Sequence, residues 1–133
     1  MRPSIELSSA ECLRLLSTRT VGRIAFQTDN GLRIFPVNYV VEGERIVFRT
    51  AAYGVIARSI RATEVAFQVD DLDDELRSGW TVLAVGRCER LEDVTEVAGL
   101  RQGDGPQPWV DGTRELYFTI RWKGLSGRRL GDG

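Results

Sequence analysis

The sequence predicts a mainly β protein, an antiparallel barrel closed by a few short helices. Apolar runs with two-residue alternation recur along the chain, and turn residues separate them at short intervals. Three short segments have the apolar spacing of a helix instead. The 133 residues are 42% hydrophobic and 28% charged, so we expect one globular domain, residues 1–133, with a buried core. About six strands and three helices in this arrangement are typical of a barrel.

The first predicted element is a helix that begins after Ser8. Ser8 and Glu11 have capping-box spacing, and the apolar residues that follow form one stripe, as in a helix that packs on a core. A second helix is predicted over residues 54–61, and a third over 94–100, where Asp93 is the expected cap. The second helix should turn Arg58 outward. Four other residues of this helix should point toward the core: Val55, Ile56, Ser59 and Ile60.

The strands are predicted at residues 21–27, 32–41, 45–50, 65–69, 78–91 and 116–122. The strand over 32–41 is apolar on both faces, as expected when the core covers one face and a ligand or partner covers the other. Pro36 within it indicates an edge or a bulge. Residues 70–75 form an acidic run that we interpret as a solvated loop and not as a metal site. Residues 124–133, rich in Gly and Arg, are expected to form a flexible tail.

Composition argues against several classes of partner. The net charge of −1 gives no overall attraction to nucleic acid or to an anionic membrane. No apolar run approaches the ~20 residues of a membrane span, and the N-terminus has no signal-peptide pattern. Cys12 and Cys88 lack metal-binding or redox spacing, so we expect reduced, buried thiols in a cytoplasmic protein.

The chain contains no histidine. Ser-His and Cys-His nucleophilic catalysis are therefore excluded, and so is a zinc site that needs imidazole. A chain of this size that performs chemistry without histidine is expected to take its reactivity from a cofactor. No metal ligand is predicted.

The junction over residues 48–58 is the main candidate for a binding site. A strand ends in Arg49 and Thr50, a small-residue loop with Ala51 and Gly54 follows, and a helix then begins. Backbone N–H groups and the helix dipole favour an anion at such a junction, and a guanidinium and a hydroxyl would add to it. We interpret it as a phosphate site, the alternative being a surface arginine that ends a strand.

Six motifs together resemble one known family. In chain order they are VGRIA (21–25), PVNY (36–39), VFRTA (47–51), VAFQV (65–69), SGW (78–80) and GRCE (86–89). Over residues 7–130 the chain is similar to the pyridoxamine 5′-phosphate oxidase-like superfamily, the FMN-binding split β-barrels. The similarity is to the small bacterial branch that resembles nitroimidazole-resistance flavoproteins.

This resemblance implies a split barrel that forms a homodimer, with a flavin, FMN, at the interface between subunits. A flat apolar strand suits the flavin ring, while arginine and backbone N–H groups suit its phosphate. The ring would lie along Pro36, Val37, Asn38 and Tyr39. The phosphate would be held by Arg49, Thr50, Ala51, Gly54, Val55 and Arg58. The side of the ring would be approached by Ser78, Gly79 and Trp80.

The chain departs from the family pattern near the phosphate. Relatives usually have a lysine where Val55 or Ile56 stands, so Arg49 and Arg58 are expected to substitute for it. The alternative cofactor is a deazaflavin coenzyme, whose long anionic tail would lie in a groove lined by the arginines at 45, 49, 58 and 61. Nothing matches the substrate-binding arginine and histidine of true pyridoxamine phosphate oxidases, so that activity is not predicted.

Two classes of function remain open. The first is a flavin-dependent oxidoreductase with an unknown small-molecule substrate, and the second is a non-enzymatic dimer that binds a flavin or another ligand. No catalytic residue is identified, and the polar candidates near the ring are Tyr39, Tyr53 and Arg49. Trp80 is expected at the ring edge or in the core, and Trp109 and Trp122 at the dimer interface. Arg128 and Arg129 belong either to a disordered tail or to an arm that reaches the partner's flavin.

Overall fold

The computed structural model describes residues 4–51, 54–60, 63–106 and 115–131. The predicted class is confirmed: the chain is mostly antiparallel β sheet with short helices. The strands are β1 (Ser4–Glu6), β2 (Val21–Thr28), β3 (Gly31–Glu42), β4 (Arg45–Ala51), β5 (Thr63–Asp73), β6 (Ser78–Arg90) and β7 (Glu115–Leu130). The helices are α1 (Ser9–Leu16), α2 (Val55–Ser59) and α3 (Val94–Gly99), and a π-helical turn, Leu100–Asp104, follows α3.

The strands form one sheet in the order β1-β7-β4-β3-β2-β5-β6. Because β6 also pairs with β7, six of the strands close into a ring, and β1 lies outside it against the end of β7. The register of β6 and β7 shifts between Val85 and Gly86. Such an irregularity bends the strand and increases its twist, which suits a sheet that closes on itself. The topology is that of the predicted split barrel.

The inner face of the ring holds the main core. Phe48 stacks on Phe118 with ring centroids 5.5 Å apart, and Tyr39 meets Phe67 edge to face at 5.0 Å. The buried face of α1 closes the core with Cys12, Leu15 and Leu16. A second, smaller cluster of Val47, Leu100 and Tyr117 lies outside the ring, between the outer face of the sheet and the segment after α3.

A glycine permits the close packing of one core aromatic. A Cβ atom on Gly22 would lie 2.1 Å from the ring of Phe67, well inside van der Waals contact. Phe67 is fully buried between β2 and β6. The VGRIA motif of β2 therefore contains glycine at the position where the Phe67 ring passes over the strand.

The predicted helix caps are confirmed. The Ser8 hydroxyl accepts a hydrogen bond from the Glu11 backbone N–H at 3.2 Å, and the Asp93 carboxylate accepts one from the Glu96 N–H at 2.9 Å. Helix α2 is shorter than predicted. Its Ile56 and the following Ile60 are buried, but Val55 is exposed, because a five-residue helix can turn only one narrow stripe toward the core.

Two predictions about irregular segments are wrong. The first four residues of the acidic run form a strand and not a loop, because β5 continues through Asp73. The carboxylates of Asp70 and Asp71 face Arg23 and Arg19 at 3.2 and 3.7 Å. Residues 124–130 are a strand and not the expected flexible tail, because β7 continues to Leu130. Pairing with β6 and β1 satisfies its backbone, so the local glycine content does not prevent a strand.

Both cysteines are buried and unpaired, as predicted. Burial raises the pKa of the Cys12 thiol, and it raises the pKa of the Cys88 thiol to about 12. Neither group is therefore a ready nucleophile at neutral pH. The described part of the chain contains no cluster of three His, Cys, Asp or Glu side chains that could hold a metal. Within the same residues, every helix is too short or too polar to span a bilayer.

Candidate functional site

Asn38 and Arg49 face each other on the outer side of the sheet. The β3–β4 hairpin pairs Glu42 with Arg45, and counting back along both strands sets Asn38 directly opposite Arg49. Side chains on directly opposed residues point to the same face. Both are partly buried. The structure therefore brings together two of the predicted site residues, one expected near the flavin ring and one near its phosphate.

Contacts with Pro106 and Tyr117 help to hold Arg49 on this face. Its Nη1 donates a hydrogen bond to the Pro106 carbonyl oxygen at 3.1 Å, and its guanidinium carbon lies 5.4 Å from the centre of the Tyr117 ring. An arginine above an aromatic face is attracted by the negative charge density of the ring. The guanidinium is therefore fixed against the segment that follows α3.

The outer side of β3 is unusually apolar beyond this pair. Leu32 is 72% exposed and Ile34 is 65% exposed, and Pro36 beside them is exposed too. They alternate with residues whose side chains point inward, as the predicted two-faced strand requires. A flat apolar strip next to a polar pair is the kind of surface on which a planar aromatic ring or another protein surface packs.

A polar cleft lies between α2 and the β2–β3 hairpin, with a volume of about 840 Å³. It is lined by Val55 and Arg58, which the sequence assigns to the phosphate site, and by Arg33, which it does not. Asp29 contributes a carboxylate to the same lining. Arg58 therefore lies with Arg33 and not with Arg49, whose described contacts are with a different segment.

The two described sides of the strand–loop–helix junction match the prediction, since β4 ends at Ala51 and α2 begins after Gly54. The Gly54 N–H donates to the Ala51 carbonyl oxygen at 3.1 Å, and Gly54 is the cap residue of α2, with no side-chain cap bond. Thr50 follows Arg49 in β4, so their side chains point to opposite faces of the sheet. Two of the predicted phosphate residues, Arg49 and Thr50, are thus adjacent in sequence but lie on opposite sides of the sheet.

Two residues predicted along the ring have their side chains in the core. Val37 and Tyr39 are buried, and the Tyr39 hydroxyl donates a 2.5 Å hydrogen bond to the Leu16 carbonyl oxygen of α1. Burial raises the pKa of the Tyr39 phenol well above its usual value. Tyr39 is therefore a structural residue, and these two positions could face a ligand only through their backbone.

Ser78, Gly79 and Trp80 are far from Arg49 within one chain. Strand β7 pairs Arg49 with Tyr117 and Trp80 with Arg129, twelve residues further along. Ser78 and Trp80 are buried, and Trp80 belongs to the core. A Cβ on Gly79 would lie 2.0 Å from the Asp71 carbonyl oxygen, so close strand packing explains this glycine. The structure does not bring these three residues to the Asn38–Arg49 pair.

The groove of arginines expected for a deazaflavin tail is not assembled. The Arg45 guanidinium is bound by the carboxylates of Glu42 at 2.7 Å and Glu96 at 3.0 Å, and these hydrogen bonds raise the pKa of Arg45. Arg49 and Arg58 lie at the two separate places described above. Arg61 is outside the described residues.

The C-terminal arginines contact their own chain. Arg128 binds the hydroxyl and the carbonyl oxygen of Ser4, and Arg129 lies 3.7 Å from Glu11 of α1. Neither alternative predicted for them, a disordered tail or an arm to the partner's flavin, matches these contacts. Trp122 packs against the main core. Trp109 and Tyr53 lie outside the described residues.

Sequence reasoning missed Tyr117 and Arg33. The Tyr117 hydroxyl is buried and has no hydrogen-bond partner among the described residues. The alternation of β7 predicts that Tyr117 and Phe118 point to opposite faces of the sheet. It does not reveal that the Tyr117 hydroxyl is unpaired. Arg33 could have been found from the hairpin register, which pairs it with Phe26 on the inner face near α2.

Comparisons with known proteins agree with the observed fold. Residues 8–129 match the sequence profile of the pyridoxamine 5′-phosphate oxidase family. An uncharacterized protein of Mycobacterium tuberculosis, Rv0080, is 30% identical, and the alignment covers 97% of this chain and 87% of that protein.

Several solved structures share the fold. A proposed pyridoxamine 5′-phosphate oxidase of Corynebacterium glutamicum superposes with a TM-score of 0.82 at 26% identity, covering 97% of this chain and 99% of the other. An FAD-binding protein of Mycobacterium smegmatis superposes with a TM-score of 0.76 at 28% identity. The superposition covers 95% of this chain and 97% of the other. A proposed 5-nitroimidazole antibiotic resistance protein of Bacteroides thetaiotaomicron superposes with a TM-score of 0.72 at 12% identity, covering 98% of this chain and 90% of the other. At this identity the similarity is one of fold alone. The chain belongs to the pyridoxamine 5′-phosphate oxidase-like family.

Proposed function

We propose that the protein is a flavin-binding homodimer of the split-barrel type that acts as an oxidoreductase. The observation that carries the proposal is the outer face of β3, where an exposed apolar strip runs up to the Asn38–Arg49 pair. The strip suits the flat isoalloxazine ring, and the pair can bond its polar edge. The FAD-binding relative of similar fold supports a flavin as the ligand. The proposed cofactor is FMN, with FAD as the alternative drawn from that relative.

The polar cleft beside α2 would hold the phosphate end of the cofactor. Arg58 and Arg33 supply two guanidinium groups there, which can replace the lysine missing at Val55 and Ile56. A bound flavin would supply the electron and hydride transfer, and the protein would orient it and exclude water. The free, buried thiols of Cys12 and Cys88 agree with a reducing cytoplasm.

We include a dimer in the proposal because one chain does not bring all of the predicted flavin-site residues together. Ser78–Trp80 lie far along the sheet from Arg49, so within a protomer they cannot flank the same ring. A second copy packed on the apolar strip of β3 would cover Leu32 and Ile34 and would enclose the ring between two sheets.

The first experiment is the absorption spectrum and the mass of the small molecule released from purified protein, followed by titration with FMN and FAD. We expect about one flavin per chain and a dimer by light scattering. Reduction of the bound flavin by NADH or NADPH, followed over time, tests the oxidoreductase assignment. Failure of both FMN and FAD to bind would overturn the proposal.

Substitution of Arg49 tests the site itself. Arg49→Ala removes a charged side chain that would donate a hydrogen bond to the cofactor. This should cost about 1.5–3 kcal/mol of binding free energy and raise the flavin Kd roughly tenfold or more. Arg14→Ala is the matched control, since Arg14 is an exposed arginine on α1 paired with Glu11. Equal Kd values for both variants and the parent would remove Arg49 from the site. Circular dichroism confirms that each variant is folded.

A further inference from the structure

The segment that follows β6 is attached weakly to the outer face of the sheet. Residues 92–106, here called the strap, comprise α3 with its cap, the π-helical turn and the two residues after the turn. Helix α3 has no buried residue, and its Val94 is 82% exposed. Among the described side chains of the π-helical turn, Leu100 alone is buried. A segment with so little buried apolar surface belongs to the least stable part of a fold, where local opening takes place.

Polar contacts with β4 join the strap to the sheet near each of its ends. The Glu96 carboxylate binds the Arg45 guanidinium at 3.0 Å, and the Pro106 carbonyl oxygen accepts the 3.1 Å hydrogen bond from Arg49. The Glu96 side chain is 48% exposed, so water screens its ion pair and the pair stabilises the closed position only slightly. The contact with Arg49 therefore has a large share in holding the strap.

The space beneath the strap is incompletely filled. A cavity of about 480 Å³ lies between α3 and the start of β7, and Val97 and Tyr117 are among its lining residues. Leu100 and Val97 of the strap pack in one cluster with Tyr117, whose buried hydroxyl has no hydrogen-bond partner among the described residues. Water could bond this hydroxyl once the strap moved away, so its burial favours opening.

The strap is built to move as one unit. Residues 91–93 form neither helix nor strand and can act as a hinge between β6 and α3. Directly before α3, the Leu91 N–H donates a 2.8 Å hydrogen bond to a backbone carbonyl oxygen of β7, which fixes the sheet side of the hinge. Within the strap, the Gly105 N–H donates to the Leu100 carbonyl oxygen at 3.2 Å. Leu100 and Pro106 should therefore leave the sheet together.

We infer that the strap opens on the folded barrel and that its closed position restrains Arg49. A ligand that accepts a hydrogen bond from Arg49 competes with the Pro106 carbonyl oxygen for the same N–H group. Ligand binding and strap closure then oppose each other, so the ligand shifts the strap toward its open position. This competition rests on the proposed function, which assigns Arg49 to the flavin, whereas the opening itself does not.

Amide hydrogen exchange of the ligand-free full chain tests the opening. We expect the amides of residues 97–100 to exchange at least about 100-fold faster than those of residues 46–48 in β4, because the strap opens while the sheet stays folded. Low concentrations of urea should leave the exchange of residues 97–100 unchanged. Equal protection of the two segments, lost together in urea, would overturn the inference.

Variants separate opening of the strap from fraying of α3 alone. Glu96→Gln should speed exchange at residues 97–100 about threefold, because it weakens the contact with Arg45. Glu92→Gln is the matched control, since it removes the same charge from the strap but not from the described contacts of Arg45. Tyr117→Phe should slow this exchange about fivefold, because opening then hydrates no unpaired hydroxyl. Parental exchange in Tyr117→Phe would mean that only α3 frays.

The restraint on Arg49 is tested with and without FMN. In the ligand-free protein, Arg49→Ala removes the bond to Pro106 and should speed exchange at residues 97–100 about tenfold. Bound FMN should speed it in the parent as well, and slow it at residues 46–48. Unchanged strap exchange in Arg49→Ala, or with FMN bound to the parent, would overturn the restraint. Failure of FMN to bind would instead count against the proposed function, and Arg49→Ala alone would then decide the restraint.

Discussion

The two tyrosines that the structure describes are both buried, lie on opposite sides of the same sheet and differ in one hydrogen bond. Tyr39 points inward, 2% exposed, and its hydroxyl binds the Leu16 carbonyl oxygen. Tyr117 points outward, and its equally buried hydroxyl has no partner among the described residues. The inner core thus satisfies its polar groups and serves stability. The outer cluster of Val47, Leu100 and Tyr117 leaves a polar group unsatisfied, which lowers its contribution to stability.

The largest effect should come from the inner core. Phe67→Ala removes a fully buried ring that touches Tyr39 and covers Gly22, and it should lower the free energy of unfolding by about 3–5 kcal/mol. Leu100→Ala in the outer cluster should cost only about 2 kcal/mol, since the short turn that carries it can relax. Urea denaturation measures both. Equal losses would break the distinction between the two clusters.

The tyrosine pair tests the comparison directly. Tyr39→Phe leaves the buried Leu16 carbonyl without its partner, so we expect a loss of about 1–2 kcal/mol. Tyr117→Phe should be neutral or slightly stabilising in the ligand-free protein. Thermal unfolding of the two single variants gives the answer. A loss of the same size for both would mean that the Tyr117 hydroxyl is satisfied in solution.

Alkaline pH should weaken the inner core through Cys88. Burial raises the pKa of this thiol to about 12 in the folded protein, above its ordinary value of 9.0. The neutral thiol therefore stabilises the fold fully below pH 9, and that stabilisation is lost as the pH rises toward 12, at up to about 1.4 kcal/mol per pH unit. Between pH 8 and pH 10 the loss should be smaller in Cys88→Ala than in the parent, by about 1 kcal/mol. Identical pH dependence of the urea midpoints would contradict this.

The smallest effect is expected at the caps of α1 and α3. Ser8→Ala removes the cap of the helix that closes the inner core, and should cost about 1 kcal/mol. Asp93→Ala removes the cap of α3, which has no fully buried residue, so α3 should fray locally with little change in global stability. Hydrogen exchange of the amides of residues 94–97 measures this fraying. Global destabilisation by Asp93→Ala would show that α3 is part of the cooperative core.

Much of the fold could be predicted because it depends on local signals. The alternation of β2 to β4, the short turns between them and the helix caps at Ser8 and Asp93 each determine structure over a few residues. The prediction failed where distant pairing overrides local composition. Residues 70–73 and 124–130 look like loop and tail, but their partners in β6 and β1 hold them as strands.

The candidate site was predicted less completely, and for a related reason. The hairpin register places Asn38 opposite Arg49, so this pair follows from the sequence by counting. The separation of Arg49 from Arg58 and the burial of Tyr39 and Trp80 depend on how the sheet curves and closes. The unpaired Tyr117 hydroxyl depends on what the turn after α3 brings near it. No local pattern carries that information.

The sixteen residues of β7 pair with three strands, and this has a consequence for synthesis of the protein. Because β7 is the last strand in chain order, the ring stays open while β2 to β6 emerge from the ribosome. Until residues 115–130 follow, β4 and β6 each expose an unpaired edge, which can bind the edge of another nascent chain. A codon change that slows translation just before β7 should therefore raise the aggregated fraction without altering the mature sequence.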